Sequence, residues 1–342
     1  MPADPKVLPP GKLPGDMLAR MISRYRTPTD DSVIVDTSYG FDAAAVSVGG
    51  ETVIIKSDPI TFATSDAARY VVAVNANDIA CMGGIPRWMT VVGLLPEGST
   101  TPQLVEDLFS DLRDACVAEG IMLVGGHTEI TIGLDRPILV GTLLGIAGEH
   151  GLLRPGEASA GDELYVTKSV GLEGTALLAS ELGERLATSL GKDLVASARA
   201  LLADPGISIS KDARALLSSG VVTALHDPTE GGLATAVHEI AAASGLGARI
   251  DAESIPILPE TRAICTELGI DPLGLLSSGA LLVAARPGSA GSLATALDGT
   301  GIPIARIGVL TDAAHGCTIT RNGEASPLPR FDSDELARAL TA

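Results

Sequence analysis

The sequence predicts an α/β protein of two domains. Three observations carry this. The 342 residues exceed what one hydrophobic core normally spans. Short β-branched runs alternate with helix-period segments along nearly the whole chain. Apolar residues make up 46% of the chain but aromatics only 3%, so Ala, Val, Leu and Ile supply the core. That composition suits layered helix-on-sheet packing and argues against disorder.

Taken in order, residues 1–35 read as a Pro-rich arm followed by a short helix over 16–25. Residues 36–150 form the first domain. Strands over 43–48 and 52–57 flank Gly49-Gly50, which fits a hairpin. Ser65 offers an N-cap to a helix that Gly83, Gly84 and Pro86 stop. A strand over 88–95 follows, then a helix opened by Thr101-Pro102 and closed by Gly120. Strands over 121–124 and 137–146 complete this half. The Gly/Pro-rich stretch 148–161 is the candidate boundary, and 160–330 form a second α/β domain. It begins with a strand over 163–167 and a turn at Gly171-Leu172-Glu173-Gly174 leading into a helix over 175–182. It ends in a hairpin at Asn322-Gly323, before a polar tail over 331–342.

Charge excludes several function classes. The net charge is −18 and no basic run occurs, so neither nucleic acid nor an anionic membrane is an expected partner. A polyphosphate ligand would be repelled by the overall field, so its site would rely on Mg²⁺ and local backbone dipoles. Cys81, Cys116, Cys265 and Cys317 are far apart and match neither a zinc pattern nor a disulfide framework, which implies a reducing compartment. The N-terminus lacks the apolar core of a signal peptide, and no apolar run reaches the ~18 residues of a membrane helix. The expected location is the cytoplasm.

The residues that look chemical concentrate in the first half. In the helix ending near Met82, Val71, Val74, Ile79 and Met82 share one arc, and Asn75 and Asp78 fall within it. A carboxylate on an apolar stripe is costly unless it meets a cation or hydrogen-bond donors, so Asp78 is a metal or phosphate group, an acid satisfied by backbone amides, or one exposed at an interface edge. Asp42 precedes one strand and Asp58 ends another, where α/β proteins place ligand groups. Mg²⁺ favours such oxygen donors. Lys12, Lys56 and Lys168 are the nearest cations, and Lys56 shares a strand face with Asp58. Gly125-Gly126-His127-Thr128-Glu129 follows an apolar run. Its glycines allow close backbone approach, and His127 and Glu129 project to one side. His127 is open to three roles: phosphate contact, general base, or partner of a carbonyl. In the second half, Asp227-Pro228-Thr229-Glu230-Gly231-Gly232 has Asp227 at the N-cap, Pro228 at the first helical position and Glu230 at the capping-box position. Such a helix start also presents amides to a phosphate. No Walker A loop, nucleophile elbow, HExxH or dinucleotide fingerprint is present.

These pieces, in this order, resemble the aminoimidazole ribonucleotide synthetase (PurM-like) superfamily, which includes selenophosphate synthetase, thiamine-monophosphate kinase and HypE. The resemblance rests on Gly40-Phe41-Asp42-Ala43-Ala44, Ser57-Asp58-Pro59, Val74-Asn75-Ala76-Asn77-Asp78-Ile79-Ala80, Gly125-Gly126-His127-Thr128-Glu129 and Asp227-Pro228-Thr229-Glu230-Gly231-Gly232. It is nearest to HypE-like hydrogenase expression/formation proteins, including Pro327-Leu328-Pro329-Arg330. It implies a PurM-like N-terminal domain that dimerises into a β-barrel across two chains, and a C-terminal α/β sandwich domain. It also implies ATP and Mg²⁺, with Asp42, Asp58 and Asp78 as metal ligands. Lys12, Lys56, Asn75, Asn77, Gly125, Gly126, Asp227, Thr229, Gly231 and Gly232 are implied as further nucleotide contacts, and His127 and Glu129 as catalytic groups. The implied reaction is phosphorylation of an oxygen on a small-molecule or protein-borne acceptor. Two alternatives stand beside it: a non-catalytic nucleotide-binding partner in a hydrogenase maturation complex, and a small-molecule kinase resembling thiamine-monophosphate kinase.

The sequence departs from the family pattern at four places. Phe41 stands where relatives often carry a second acid. His127 stands where the kinase and HypE branches commonly have Asp. Leu276-Ser277-Ser278-Gly279 lacks the acid that HypE proteins place before that glycine. HypE proteins end in a cysteine shortly after Pro-Arg, whereas Phe331-Asp332 and a cysteine-free stretch follow Pro329-Arg330 here. Thiocyanate formation on its own tail is therefore not expected of this chain.

Overall fold

A computed structural model describes residues 8, 13, 15–38, 41, 43–61, 66–154, 156–331 and 333–341. Most of the expected N-terminal arm, including Lys12, and Gly40, Asp42 and the expected cap Ser65 lie outside them.

Helix α1 (Gly15–Tyr25) precedes a six-stranded sheet built from β1 (Val33–Val35), β2 (Ala44–Val48), β3 (Glu51–Ile60), β4 (Gly84–Pro96), β5 (Met122–Thr131) and β6 (Ile138–Ala147). The strand order is β1-β2-β3-β6-β4-β5. Gly49 and Gly50 take positive φ in the β2–β3 hairpin, where Val48 faces Glu51. Helix α2 (Ala67–Cys81) links β3 to β4. Helix α3 (Pro102–Glu119) carries the crossover from β4 to β5, the parallel pair of this sheet. Its ends match the expected signals: Thr101 Oγ1 accepts from Leu104 N at 3.2 Å, and Gly120 closes it at φ 69°.

One face of this sheet is covered. Ile54 of β3, Met89 and Val91 of β4, and Leu139 and Leu143 of β6 pack with Val71, Val72, Ala76 and Ile79 of α2 in one buried cluster. Strand alternation sends Val53, Ile55, Val92, Leu94, Leu144 and Ile146 to the opposite face, and none of these six belongs to a buried cluster.

The second half has a seven-stranded sheet with order β13-β12-β9-β11-β7-β10-β8. Its strands are β7 (Glu163–Thr167), β8 (Val222–His226), β9 (Leu246–Asp251), β10 (Leu282–Ala285), β11 (Ile304–Asp312), β12 (Cys317–Arg321) and β13 (Glu324–Pro327). Helices cover both faces. Leu164 and Val166 of β7 meet Leu233, Val237 and Ile240 of α8 (Gly232–Ala243). The intervening Tyr165 meets α7 (Ser210–Leu217) and α10 (Ala290–Leu297) on the other side. Four further helices, α4 (Leu172–Glu181), α5 (Gly183–Leu190), α6 (Lys192–Ala200) and α9 (Pro259–Leu268), share a third cluster with Tyr70 and Ala73 of α2.

Helix α2 therefore differs from its expected one-sided arc. Every residue from Tyr70 to Cys81 is buried, because α2 lies between the first sheet and the second half. It meets β3, β4, β6 and α3 on one side and α7 and β8 on the other. Gly145 of β6 is what lets it lie so close: a Cβ there would fall inside the Ile79 side chain and 2.9 Å from Ile85 O.

Three more differences matter for the site. Strand β5 runs from Met122 to Thr131, so the Gly125–Glu129 motif lies within a strand rather than at its exit. A register shift between Met89 and Thr90 accommodates it. Helix α8 begins at Gly232, not Pro228, with Gly231 as its left-handed cap at φ 78°. The stretch read as a polar tail ends in helix α11 (Glu335–Thr341), whose Leu336 and Ala339 are buried. Among the described residues, no helix is long and apolar enough to cross a membrane.

Gly145→Ala should lower stability by about 1–3 kcal/mol through overpacking of α2. Urea unfolding checks this, with a lower midpoint and an unchanged slope expected.

Candidate active site

Two periodicities converge beside the first sheet. Lys56 and Asp58 are two apart on β3 and face α2. Asn75 and Asp78 are three apart on α2 and face β3. Lys56 Nζ lies 3.1 Å from Asp58 Oδ2 and 2.8 Å from Asp78 Oδ2. Asp78 is 3% exposed while about a third of the Asp58 side chain, 31%, remains open, so the cluster has one sealed side and one accessible side. Asn75 fixes it to the sheet. Its Oδ1 accepts from Asp58 N at 3.0 Å, and its Nδ2 donates to Val71 O at 2.8 Å. The structure thus brings together four of the expected residues: Lys56, Asp58, Asn75 and Asp78.

Chemically, this is one ammonium bridging two carboxylates. Hard divalent cations such as Mg²⁺ take oxygen donors of this type, usually one or two carboxylates plus phosphate oxygens. Asp58 and Asp78 fit that demand. Among the described residues no group of three His, Cys, Asp or Glu side chains is arranged to hold a metal by itself. A cation here would need donors from a ligand or from outside the described residues.

Asn77 points the other way along α2, into the second half. Its Nδ2 donates to Asp227 Oδ2 at 2.8 Å and to Ile207 O at 2.9 Å, and its Oδ1 accepts from Ile209 N at 2.9 Å. With both amide hydrogens engaged and no exposure, Asn77 ties the two halves together. This tie also explains the late start of α8, since Asp227 faces Asn77 rather than capping the helix.

His127 and Glu129 do project to one side of β5, with Nε2 and Oε2 3.2 Å apart. Thr131 Oγ1 donates to Glu129, and this bond, followed by that with His127, holds the Glu129 carboxyl below its ordinary range. Both side chains are exposed. One row of the sheet runs Asp58, Gly141, Val91, Gly126, so β5 lies three strands from β3, roughly 14 Å at about 4.8 Å per strand. Within one chain the pair is separate from the Lys56 cluster. Gly126 is required by the strand itself: at φ 151° any Cβ would run into Val91 O. Gly125 meets no such demand, its nearest neighbour being Thr90 at 3.9 Å.

At α8, Gly232 N donates to Thr229 O at 2.9 Å, and a Cβ on Gly232 would lie 2.7 Å from Leu275 O. Gly231 N donates to Asp334 Oδ2 at 2.7 Å, so the chain's own carboxylate sits at this helix end. Lys168 is sealed as well, with Nζ 3.1 Å from Asp212 and donating to Ser208 O at 2.8 Å.

Sequence reasoning missed Asp334 and Glu173. Glu173, in the first turn of α4, is 3% exposed. Burial pushes its carboxyl up to about 8, and the nearby Glu230 and Asp334 add to the rise. The available signal was an acid set between Leu172 and Gly174 in an otherwise apolar stretch.

Comparison with known proteins matches these features to one family. The family model described as AIR synthase related protein matches over its N-terminal domain at residues 40–147 and its C-terminal domain at residues 159–319. A carbamoyl dehydratase HypE of Rhizobium leguminosarum is 28% identical over 267 residues, covering 75% of this chain and 73% of the relative. The crystal structure of Escherichia coli HypE, a hydrogenase maturation protein, superposes with a TM-score of 0.72 at 25% identity, covering 84% of this chain and 88% of that one. A HypE structure in complex with ATP superposes with a TM-score of 0.71 at 24% identity, covering 86% and 90%.

Asn77→Ala should destabilise the protein by about 2 kcal/mol or more, because Ile209 N–H loses its buried acceptor. Thermal melting of the variant against wild type tests this, and an unchanged melt would remove Asn77 from the joint.

Proposed function

The chain belongs to the AIR synthase related protein family, and from that membership we propose that it is a Mg-ATP-dependent enzyme that phosphorylates an oxygen of its acceptor. The Lys56–Asp58–Asp78 cluster carries this reading. It pairs oxygen donors suited to magnesium with an ammonium suited to a phosphate, held in place by Asn75. ATP bound to a protein of the same fold supports it.

In this reading Asp58 and Asp78 hold the cation, with Asp42 proposed as a third ligand. Magnesium so held supplies neutralisation of charge on the transferring phosphoryl group. Lys56 then moves from bridging carboxylates to facing phosphate oxygens. Lys12, Asn77, Gly125, Gly126, Asp227, Thr229, Gly231 and Gly232 remain proposed contacts, the tie between Asn77 and Asp227 acting by setting the angle between the halves. His127 and Glu129 are the proposed proton-handling pair; in register with Val92 and Leu94, they lie on the sheet face that the dimer proposed below would cover. The acceptor is a small molecule or a group carried on another protein. A phosphorylated oxygen is a good leaving group, so displacement can follow.

A second reading, a nucleotide-binding partner in a maturation complex, draws on the stretch after Arg330. No cysteine is present there, and it folds onto Gly231. Cys81, Cys116 and Cys265 are buried, and burial raises the thiols of Cys116 and Cys265 to about 11 and about 12, respectively. None of these three is a ready nucleophile.

We also propose a homodimer formed through the first sheet. Its uncovered face carries Val53, Ile55, Val92, Leu94, Leu144 and Ile146, and its edge strand β5 exposes Met122, Val124 and Ile130. An apolar face with an open edge is a surface that another sheet can cover.

Thermal melting with Mg²⁺, ATP and both together tests the enzyme reading. At ~100 times the dissociation constant, Mg-ATP should stabilise the wild type by about 2.7 kcal/mol, a rise of several degrees. Asp78→Asn should abolish the rise. Turnover of ATP with a candidate acceptor then separates the enzyme from the passive binder. For the dimer, sedimentation velocity at micromolar concentration should give a dimer for wild type and a monomer for Val92→Glu. A wild-type monomer at that concentration would sink the proposal.

A further inference from the structure

Residues 328–331 and 333–341 are held at five points. His238 Nε2 lies 3.3 Å from Leu328 O and 3.2 Å from Pro329 O, which makes it a donor to both carbonyls. The Phe331 ring lies over Gly274, where any Cβ would strike it. Asp334 Oδ2 accepts from Gly231 N, and its Oδ1 accepts from Leu336 N, both at 2.7 Å. Leu336 and Ala339 enter the cluster shared by α2, α4 and α9. Arg338 pairs with Glu335 at 2.7 Å and donates to Gly269 O.

Beneath the third point the charges are unfavourable. Glu173 from α4 and the half-buried Glu230 from the approach to α8 both act on Asp334 or on each other, and burial removes water from Glu173 and Asp334. Facing them, α2 offers Tyr70, a phenol pushed up first by burial and then by Glu173. On the outer side, α9 offers the Cys265 thiol, and Asp271 adds another negative charge beside Glu335. Arg338 is engaged with Glu335, and Arg330 lies by His238. Ser278, fully buried, donates to the Glu173 carboxylate from its side chain and backbone, which offsets only part of the burial cost.

We propose that residues 331–341 form a proton-controlled latch, closed with Asp334 on the α8 terminus while a proton is shared among the buried acids, and loosened as those acids ionise. Two effects decide the direction. Closing gains the amide hydrogen bond from Gly231 to Asp334, the positive end of α8 and the burial of Leu336. Against this, negative charge on both Glu173 and Asp334 in one desolvated space is costly. Burial pushes Asp334 up to about 6 and Glu173 up to about 8. For an acid whose value is raised in the closed form, the closed form holds fully below the ordinary value and weakens as pH rises through the raised one. The window thus runs from near 4 to about 6 for Asp334; for Glu173 it ends at about 8 and begins at the lower value the acid takes once the Asp334 charge has withdrawn. The latch is closed in mild acid and loosens towards pH 8.

The latch stands apart from the nucleotide reading, since its test needs no nucleotide. Hydrogen exchange of the full chain, corrected for the intrinsic pH dependence of amide exchange, is followed for residues 331–341 and for Gly231. Between pH 6 and 8.5 the opening constant of these amides should rise at least about tenfold relative to amides of α8. Glu173→Gln, a neutral stand-in for the protonated acid, should flatten the rise. Asp334→Asn, which keeps an acceptor for Gly231 N, should weaken the tail's protection at pH 6 less than Asp334→Ala does. Opening that is independent of pH in wild type, or a rise that persists undiminished in Glu173→Gln, would overturn the proposal. Should Glu173→Gln fail to fold, tryptic cleavage at Arg338 in wild type, normalised to a reference site in α3, reads the same pH dependence.

Discussion

The structure depends on one constraint: a helix buried all round must have each of its polar groups met by a neighbour. Helix α2 carries Asn75, Asn77 and Asp78 within four residues, and none of them reaches bulk water. Leaving any one unmet would cost on the order of 1–3 kcal/mol, more for the carboxylate. Their partners therefore define the architecture. Asn75 holds the backbone of β3, Asp78 recruits Lys56, and Asn77 reaches into the second half. Because successive helical residues point in different directions, one short segment organises the site, the sheet and the joint between halves.

Electrostatics then narrows what the site can hold. In a chain of net charge −18, two carboxylates brought to one point need compensation, and Lys56 supplies a single positive charge. The two carboxylates share one ammonium, and the cluster is open at Asp58. A metal cation relieves that imbalance, and a polyphosphate becomes tolerable only once the cation has arrived. The same arithmetic explains why a strongly acidic protein can belong to a nucleotide-binding family without any basic patch.

Much of this was legible in the residues, and the parts that were not share a cause. Strand period placed Lys56 with Asp58, helix period placed Asn75 with Asp78, and the caps of α3 read correctly because all of these are local rules. Helix α8 was misread although Asp227, Pro228 and Glu230 form a strong local start signal. The tie to Asn77 and the left-handed geometry at Gly231 and Gly232 override that signal. Strand β5 was read as ending at Val124 because two glycines usually break a strand. Here Gly126 is what permits the close approach to Val91. Asp334 could not be placed from sequence, since its partners Gly231 and Glu173 are brought to it only by the packing of α4, α8 and α11.

The two helix-end and carboxylate sites also rank each other. Gly231-Gly232 has the amides expected of a phosphate site, yet the groups that face it are Glu173, Glu230 and Asp334, and it already accommodates a carboxylate. An incoming anion would have to displace Asp334 and still meet two acids. The Lys56 cluster presents an ammonium and a route to charge balance through a divalent cation. The proposed function accordingly places the transferring phosphate at Lys56. While the tail is in place, the α8 terminus is filled by the chain's own Asp334, and the contacts proposed for Gly231 and Gly232 need that carboxylate to withdraw.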